Sequence, residues 1–382
     1  MMQMDMQRFA QSTVQPLKGV PRAALPQALP RFAHRLSRNQ QPVNERASVV
    51  VRVEAPEKPA TSTEEGKSAA VASAPQPQPT AGANIVYKSW EGEPQGKITG
   101  PTVVITGGSQ GVGRALACQS AKAGYNVIIA SRSPATLEEA GKAAFNSNTG
   151  AKKPAVLAVS VDITSESAVK GLATTAGELF DDISVLYNNA GVCATGLVED
   201  TPIDATRYMM EINFIGHMVM TQQMLPYLKE SAMRAKTRQG APGQNVPMPA
   251  IVFVNSFAAR IPLKNMSIYT ASKYALVGFT DVLRDELRSS GIFVGTVNPG
   301  VIKSNFLERA QWYGKQGDFA RDTMSGAWEQ AGFVLQTPEE VANEAFNCAK
   351  NQTLTEINVG PAFNGMVQTY RMTGFNPFAL AP

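Results

Sequence analysis

Two residues four apart, Tyr269 and Lys273, carry the most specific chemistry in this 382-residue sequence. Apolar residues recur at helical spacing around them (Ala275, Leu276, Phe279, Val282, Leu283, Leu287), and the period ends at Ser289-Ser290-Gly291, a glycine stop signal. On a helix, positions 269 and 273 share a face one turn apart, which holds an ammonium near a phenol. A free tyrosine has a pKa of about 10, and a nearby cation is expected to lower it towards a useful range for acid–base work. Ser256 stands thirteen residues before the tyrosine, directly after the apolar run Ile251-Val252-Phe253-Val254 and Asn255. A strand end there would bring a hydroxyl to the same point, able to hydrogen-bond a substrate carbonyl.

Short apolar runs alternate with helical periods from Pro101 onward: Val103 to Ile105, Val127 to Ala130, Val156 to Val161, Val185 to Tyr187, Ile251 to Val254 and Phe293 to Val297. Runs without polar alternation suit strands buried on both faces. With a helix between each pair they predict a doubly wound parallel α/β sheet of about seven strands, with ligands bound beyond the strands' carboxyl ends. The first run leads into Thr106-Gly107-Gly108-Ser109-Gln110-Gly111-Val112-Gly113. Gly107 can turn tightly off a strand, Gly111 admits a pyrophosphate, and Gly113 lets the next helix pack closely. That helix's amino end then offers free N–H groups to phosphate. At the end of the second run, where an acidic residue would grasp an NAD ribose, stand Ser131 and Arg132. An arginine can donate two hydrogen bonds to a 2′-phosphate, so NADP(H) is the expected cofactor.

In order and spacing these motifs resemble the short-chain dehydrogenase/reductase family over about residues 100–360. The matching residues are Thr106, Gly107, Gly111 and Gly113, Asp162 after the third strand, Asn188-Asn189-Ala190-Gly191 after the fourth, Asn213 in the next helix, Ser256, Tyr269 and Lys273, and Pro299-Gly300 with Ser304. The resemblance implies that Tyr269 protonates a carbonyl oxygen as hydride arrives and that Ser256 orients that carbonyl. Lys273 would tune the tyrosine and hold the nicotinamide ribose, and Asn213 would anchor a water serving the lysine. It further implies adenine contacts from Asp162 and Ile163, a ribose wall of Asn189, Ala190 and Gly191, and a nicotinamide edge from Pro299 to Ser304. A homodimer or homotetramer built through the helices around 205–228 and 269–288 is also implied.

Composition excludes several other classes. No apolar stretch approaches the roughly 20 residues of a membrane-spanning helix. Three cysteines without a C-x-x-C pattern and two histidines, His34 and His217, argue against a disulfide framework or a metal site. Residues 1–55 hold eight basic and three acidic side chains, whereas the remainder holds 27 basic and 28 acidic. A neutral folded region makes nucleic acid a poor partner. The Arg-rich, acid-poor start has the character of an organelle transit peptide, and Ser48 to Ala55 resembles green-algal chloroplast processing sites. The expected location is the chloroplast stroma, with a mitochondrion as the alternative because serine is sparse. Residues 56–97, rich in proline, predict an extended linker, 98–365 the folded domain, and 366–382 a tail.

Three departures from the family pattern bear on function. Residues 229–249 predict a long polar loop, Phe257 stands where a small residue is common, and His217 is expected to pack rather than catalyse. After Pro299-Gly300, residues 305–335 bring large apolar groups (Phe306, Leu307, Trp312, Tyr313, Phe319, Met324, Trp328, Phe333, Leu335) interrupted by glycines. Such a segment suits a lid over a lipophilic ketone or aldehyde. The leading expectation is therefore NADPH-dependent carbonyl reduction or its reverse. The alternative is a catalytically silent dinucleotide sensor or scaffold of the same fold, although such a protein should lose the tyrosine or lysine. An epimerase or dehydratase would need a longer C-terminal substrate domain.

Overall fold

Eight strands form the central sheet of the computed structural model, which describes residues 84–90, 92, 94–238, 248–303, 308–315 and 335–376. They are β1 (Asn84–Lys88), β2 (Ile98–Thr106), β3 (Asn126–Ser131), β4 (Val156–Ser160), β5 (Phe180–Asn188), β6 (Ala250–Val254), β7 (Phe293–Asn298) and β8 (Glu356–Asn358). Their spatial order is β1-β4-β3-β2-β5-β6-β7-β8. All neighbours run parallel except β1 and β4. The chain winds outward from β2 to β4, then crosses back to place β5 on the other side of β2. A crevice opens at that reversal, beyond the carboxyl ends of β2 and β5.

The unbroken apolar runs are explained by burial on both sides. Val103 to Ile105, Val127 to Ala130, Val156 to Val159 and Ala250 to Phe253 have no solvent exposure. Alternate residues feed two cores. Val104, Ile128, Leu157 and Phe253 face α3 (Glu166–Leu179), α5 (Gly216–Arg238) and α6 (Ser267–Arg288). Ile105, Ile129, Ala158 and Val252 face α1 (Gly111–Lys122), α2 (Pro134–Ser147) and a helix over Pro338–Asn351. In chain order the remaining helices among the described residues are α4 (Ile203–Met210), α7 (that same Pro338–Asn351) and α8 (Pro361–Thr373). As its glycine stop predicts, α6 ends at Arg288, and the chain turns away at Gly291, which has a φ of +74° and whose N–H donates to the Arg288 carbonyl.

Three boundaries differ from the sequence-based expectation. Asn84–Lys88, placed in the extended linker, is a strand that pairs with β4 from Asn84–Ser160 to Lys88–Leu157. Its Tyr87 ring packs onto Gly141, where an added Cβ would lie 2.4 Å from the ring. The prolines around this short β-prone run obscured it, and it makes the sheet eight strands rather than seven. Residues 229–238, expected to be loop, continue α5, because Ser231, Ala232 and Ala235 turn one small-residue face into the protein. Residues 239–247 lie outside the described residues. The expected tail is helical to Thr373, anchored by fully buried Val367 and closed by Gly374 in the left-handed region. No helix among the described residues is long and apolar enough to cross a membrane.

Candidate active site

A cavity of about 250 Å³ occupies the crevice. Its floor at one end is the glycine loop. Gly107 has a φ of +64°, and a Cβ there would come within 2.8 Å of Ala190 Cα. At Gly113 a Cβ would come within 2.4 Å of the Gly107 carbonyl oxygen, so the first turn of α1 can lie against the loop only without a side chain. Gly111, with a φ of +51°, faces open space. Gln110 precedes α1 and makes no side-chain cap, leaving the helix's first N–H groups for an anion. Behind the loop, buried Thr106 ties β2 to β5: its Oγ1 accepts from the N–H groups of Asn189 (2.9 Å) and Ala190 (3.1 Å). These features fit a dinucleotide pyrophosphate, because open space and unclaimed donors coincide where a Cβ is forbidden.

The sequence-predicted binding residues Gly107, Ser109, Gly111, Val112, Ser131, Arg132, Asp162, Ile163, Asn189, Ala190, Gly191, Pro299 and Gly300 all line this cavity. Thr106 and Gly113 sit immediately behind it, and Ser304 lies outside the described residues. Ser109 and Ser131 share a 3.0 Å hydroxyl–hydroxyl hydrogen bond on the cavity wall. Beside them Arg132 donates from Nη1 to the Tyr208 hydroxyl. Asp162 accepts from the N–H and hydroxyl of Thr164, at 2.9 and 2.8 Å, which fixes the turn after β4.

At the opposite end Ser256, Tyr269 and Lys273 line the same wall, all buried. Ser256 leaves β6 in extended conformation, and its hydroxyl accepts from the Ala258 N–H at 3.1 Å and bonds Tyr269. Asn213 falls within a π-helical turn (Glu211–Ile215) that joins α4 to α5. Such turns often mark functional positions. Its side chain accepts from the Val192 N–H (2.9 Å) and donates to the Val192 carbonyl (2.9 Å) and the Ser272 hydroxyl (3.0 Å). Ser272 in turn donates to the Tyr269 carbonyl at 2.7 Å. Asn213 thus clamps the Gly191 loop to α6. A Cβ on Gly191 would stand 3.5 Å from Asn213 Oδ1 and 3.7 Å from Lys273 Nζ, ordinary contact distances that place the loop directly beside both side chains.

Proton affinities differ from the expectation that Lys273 lowers the tyrosine pKa. Burial raises Tyr269 well above the usual phenol value, the Cys193 thiol adds to the rise, and the Ser256 hydrogen bond opposes it. Lys273 is itself pushed down to about 8 by burial. Desolvation is the largest cause of both shifts, so the tyrosine keeps its proton in the free protein. The expected packing role of His217 is what the structure shows. It is fully buried, its Nε2 lies 2.7 Å from the Ala190 carbonyl oxygen, and burial lowers it to about 3. A neutral imidazole beneath the Asn189–Gly191 loop supports that loop and has no access to a substrate.

Sequence reasoning missed two supports of the Pro299–Gly300 edge of the cavity. Gln336 accepts from the Gly300 N–H at 2.9 Å and donates to the Val359 carbonyl. Phe363 of α8 packs on Gly300, where a Cβ would lie only 1.9 Å from its ring, and against Phe257, with ring centroids 5.0 Å apart. Phe257, which lines the cavity, is thereby held by an aromatic partner. These contacts join residues 23 and more positions apart, and no local motif announces them. Of the large apolar groups named in the expected lid, Trp312, Tyr313 and Leu335 fall among the described residues. Trp312 and Tyr313 pack on a cluster containing Cys193, Met266 and Tyr269.

Residues 101–312, more than half of the chain, match the family model for short chain dehydrogenases. The chain belongs to that family. It is 30% identical over 228 residues to human dehydrogenase/reductase SDR family member 7, covering 59% of this chain and 62% of that protein. It is 31% identical over 206 residues to 3-dehydrosphinganine reductase of Danio rerio, covering 53% and 57% respectively. The chain thus spans less than two thirds of the length of these relatives. A short-chain dehydrogenase/reductase of Burkholderia phymatum solved with NAD superposes with a TM-score of 0.60 at 23% identity, over 72% of this chain and 94% of that one. The fold is shared with it.

Proposed function

We propose that this protein is an NADP(H)-dependent oxidoreductase that interconverts a carbonyl and an alcohol, with a largely apolar ketone or aldehyde as the carbonyl form. The observation that carries this reading is the burial of Ser256, Tyr269 and Lys273 together on one wall of the cavity whose far end is the glycine loop. Ser256, fixed by the Ala258 N–H, donates to the carbonyl oxygen and orients it. Tyr269, holding its proton in a dry site, donates it to that oxygen as the carbonyl is reduced. Lys273 places a positive charge beside the phenolate left behind. The glycine loop and Arg132 would hold the dinucleotide, whose chemistry when bound would be hydride donation in this direction and hydride acceptance in the other.

Arg132 supports the NADP(H) preference, since its guanidinium lines the adenosine end where a ribose-binding carboxylate would repel a 2′-phosphate. Leu263 and Met266 on the cavity wall, backed by Trp312 and Tyr313, support an apolar substrate. So does similarity to a relative named for reducing 3-dehydrosphinganine. Assembly as a homodimer or homotetramer is part of the proposal, supported by exposed Tyr274 and Val282 on α6 and Ile203 on α4. The Arg-rich, acid-poor residues 1–55 support delivery to the chloroplast stroma, or to a mitochondrion.

Purified protein incubated with NADPH and a panel of lipophilic and small anionic carbonyls tests the reading directly. Loss of NADPH absorbance with the lipophilic members is expected. Tight cofactor binding without turnover of any panel member would favour the dinucleotide-sensing alternative.

A further inference from the structure

We infer that Tyr208 is a specificity-determining residue that presents Arg132 to the 2′-phosphate of the cofactor, forming a clasp across the adenosine end of the cleft. The inference rests on the NADP(H) reading above and adds a residue that no sequence motif indicates. Arg132 follows β3 and Tyr208 belongs to α4, 76 positions later, on the opposite side of the reversal in strand order. They meet in two ways. The guanidinium carbon lies 5.9 Å from the centroid of the Tyr208 ring, within reach of the ring's negative face, and Nη1 donates to the Tyr208 hydroxyl.

An arginine at a strand end is ordinarily a mobile side chain, and much of its value to a ligand is lost in ordering it. Here one N–H group is committed to the phenol. A guanidinium carries five N–H donors, so others remain for phosphate oxygens. Further contacts hold the arm at its base. The Arg132 carbonyl accepts from the Ser160 hydroxyl at 3.0 Å, and the Ser109–Ser131 hydroxyl pair stands next to it. Tyr208 packs on the cluster that contains Ile212, and Ile212 lines the same cavity, so the tyrosine stands on the layer behind the cavity wall. A cofactor without the 2′-phosphate gains nothing from the clasp.

Dissociation constants for NADPH and NADH, measured by fluorescence titration of the full-length protein and its Tyr208→Phe, Tyr208→Ala and Arg132→Ala variants, test this inference. Tyr208→Phe keeps the ring and loses the acceptor, so NADPH should weaken by about threefold. Tyr208→Ala loses both, for about tenfold. The NADH constant should move less than twofold in either variant. A purely structural role for Tyr208 would weaken both cofactors together and lower the melting temperature. Wild-type protein that binds NADPH and NADH equally would overturn the underlying cofactor reading. A wild-type preference for NADPH that Arg132→Ala abolishes and both Tyr208 variants leave intact would overturn the clasp alone.

Discussion

Lys273 holds its ammonium nitrogen 5.8 Å from the centroid of the Tyr269 ring, one turn along α6. Both groups are buried, and burial moves their proton affinities in opposite directions, the phenol up and the amine down. The resting pair is therefore a protonated phenol beside an amine near its titration midpoint at mildly alkaline pH. Such a pair is set to give a proton to a carbonyl oxygen. Tyr269→Phe removes that proton and little volume, so carbonyl reduction should fall by about 10²- to 10⁴-fold while NADPH still binds. Steady-state rates together with a cofactor titration check both halves of this expectation.

The Lys273 shift predicts a pH dependence with a definite sign. Below about 8 the side chain is charged and stabilises the phenolate formed as Tyr269 gives up its proton. Above it that charge is lost. For reduction, kcat/KM should thus be level at lower pH and decline through an alkaline limb near 8. Lys273→Met should remove the limb and lower the rate by about 10²-fold, the scale typical of losing one electrostatic stabiliser. Lys273→Arg, whose charge persists, should move the limb upward. A full pH–rate profile of the three proteins decides the matter.

Gly113 supplies a prediction at the other end of the cleft. Its missing Cβ would sit 2.4 Å from the Gly107 carbonyl oxygen and 2.6 Å from Asn189 Nδ2, which itself donates to the Thr106 carbonyl. Gly113→Ala must push α1 away from the loop or break the Asn189 contact. A loss of about 1–3 kcal/mol of stability is expected from the overpacking. Cofactor affinity should fall with it, because the helix end that faces the phosphates moves. Chemical denaturation and NADPH titration of the same variant measure the two effects.

Most of this site was legible because its chemistry is local in sequence. The Thr106–Gly113 loop, Ser131 with Arg132, and Tyr269 with Lys273 each lie within one strand–turn–helix step, where residue type and spacing dictate geometry. Asn213 was recognisable only through the family resemblance, since its two bonds to Val192 cross 21 positions. Long-range supports were hidden for the same reason. Gln336 under Gly300 and Phe363 against Phe257 depend on how the last helices return to the sheet, which no short pattern encodes. The Tyr269 proton affinity was misjudged because spacing reports a neighbouring charge and says nothing of desolvation. At residues 229–238 polar composition masked a helix, whose small buried face matters more than its solvated one.

Glu356 makes the last prediction, about how the C-terminal helix is tied to the active-site strands. It stands on β8, and its Oε1 lies 2.7 Å from Arg260 Nε and 3.2 Å from an Arg371 nitrogen, while Asn298 Nδ2 donates to it at 3.2 Å. Arg260 follows the turn that carries Ser256, and Arg371 belongs to α8, so one carboxylate on β8 ties the Ser256 turn to the C-terminal helix. Arg260 is only 15% exposed and Arg371 is 44% exposed. Removing the carboxylate leaves the buried arginine without its counter-charge, which costs far more than losing a solvated pair. Glu356→Ala should therefore destabilise the fold by about 2–3 kcal/mol, and Arg371→Ala by less than about 1 kcal/mol. Because Arg260 is mostly shielded from solvent, the Glu356→Ala loss should persist at high ionic strength. Guanidinium-free urea denaturation at low and high salt compares the two variants. Equal losses from both, vanishing together in salt, would show that the carboxylate serves only the surface pair.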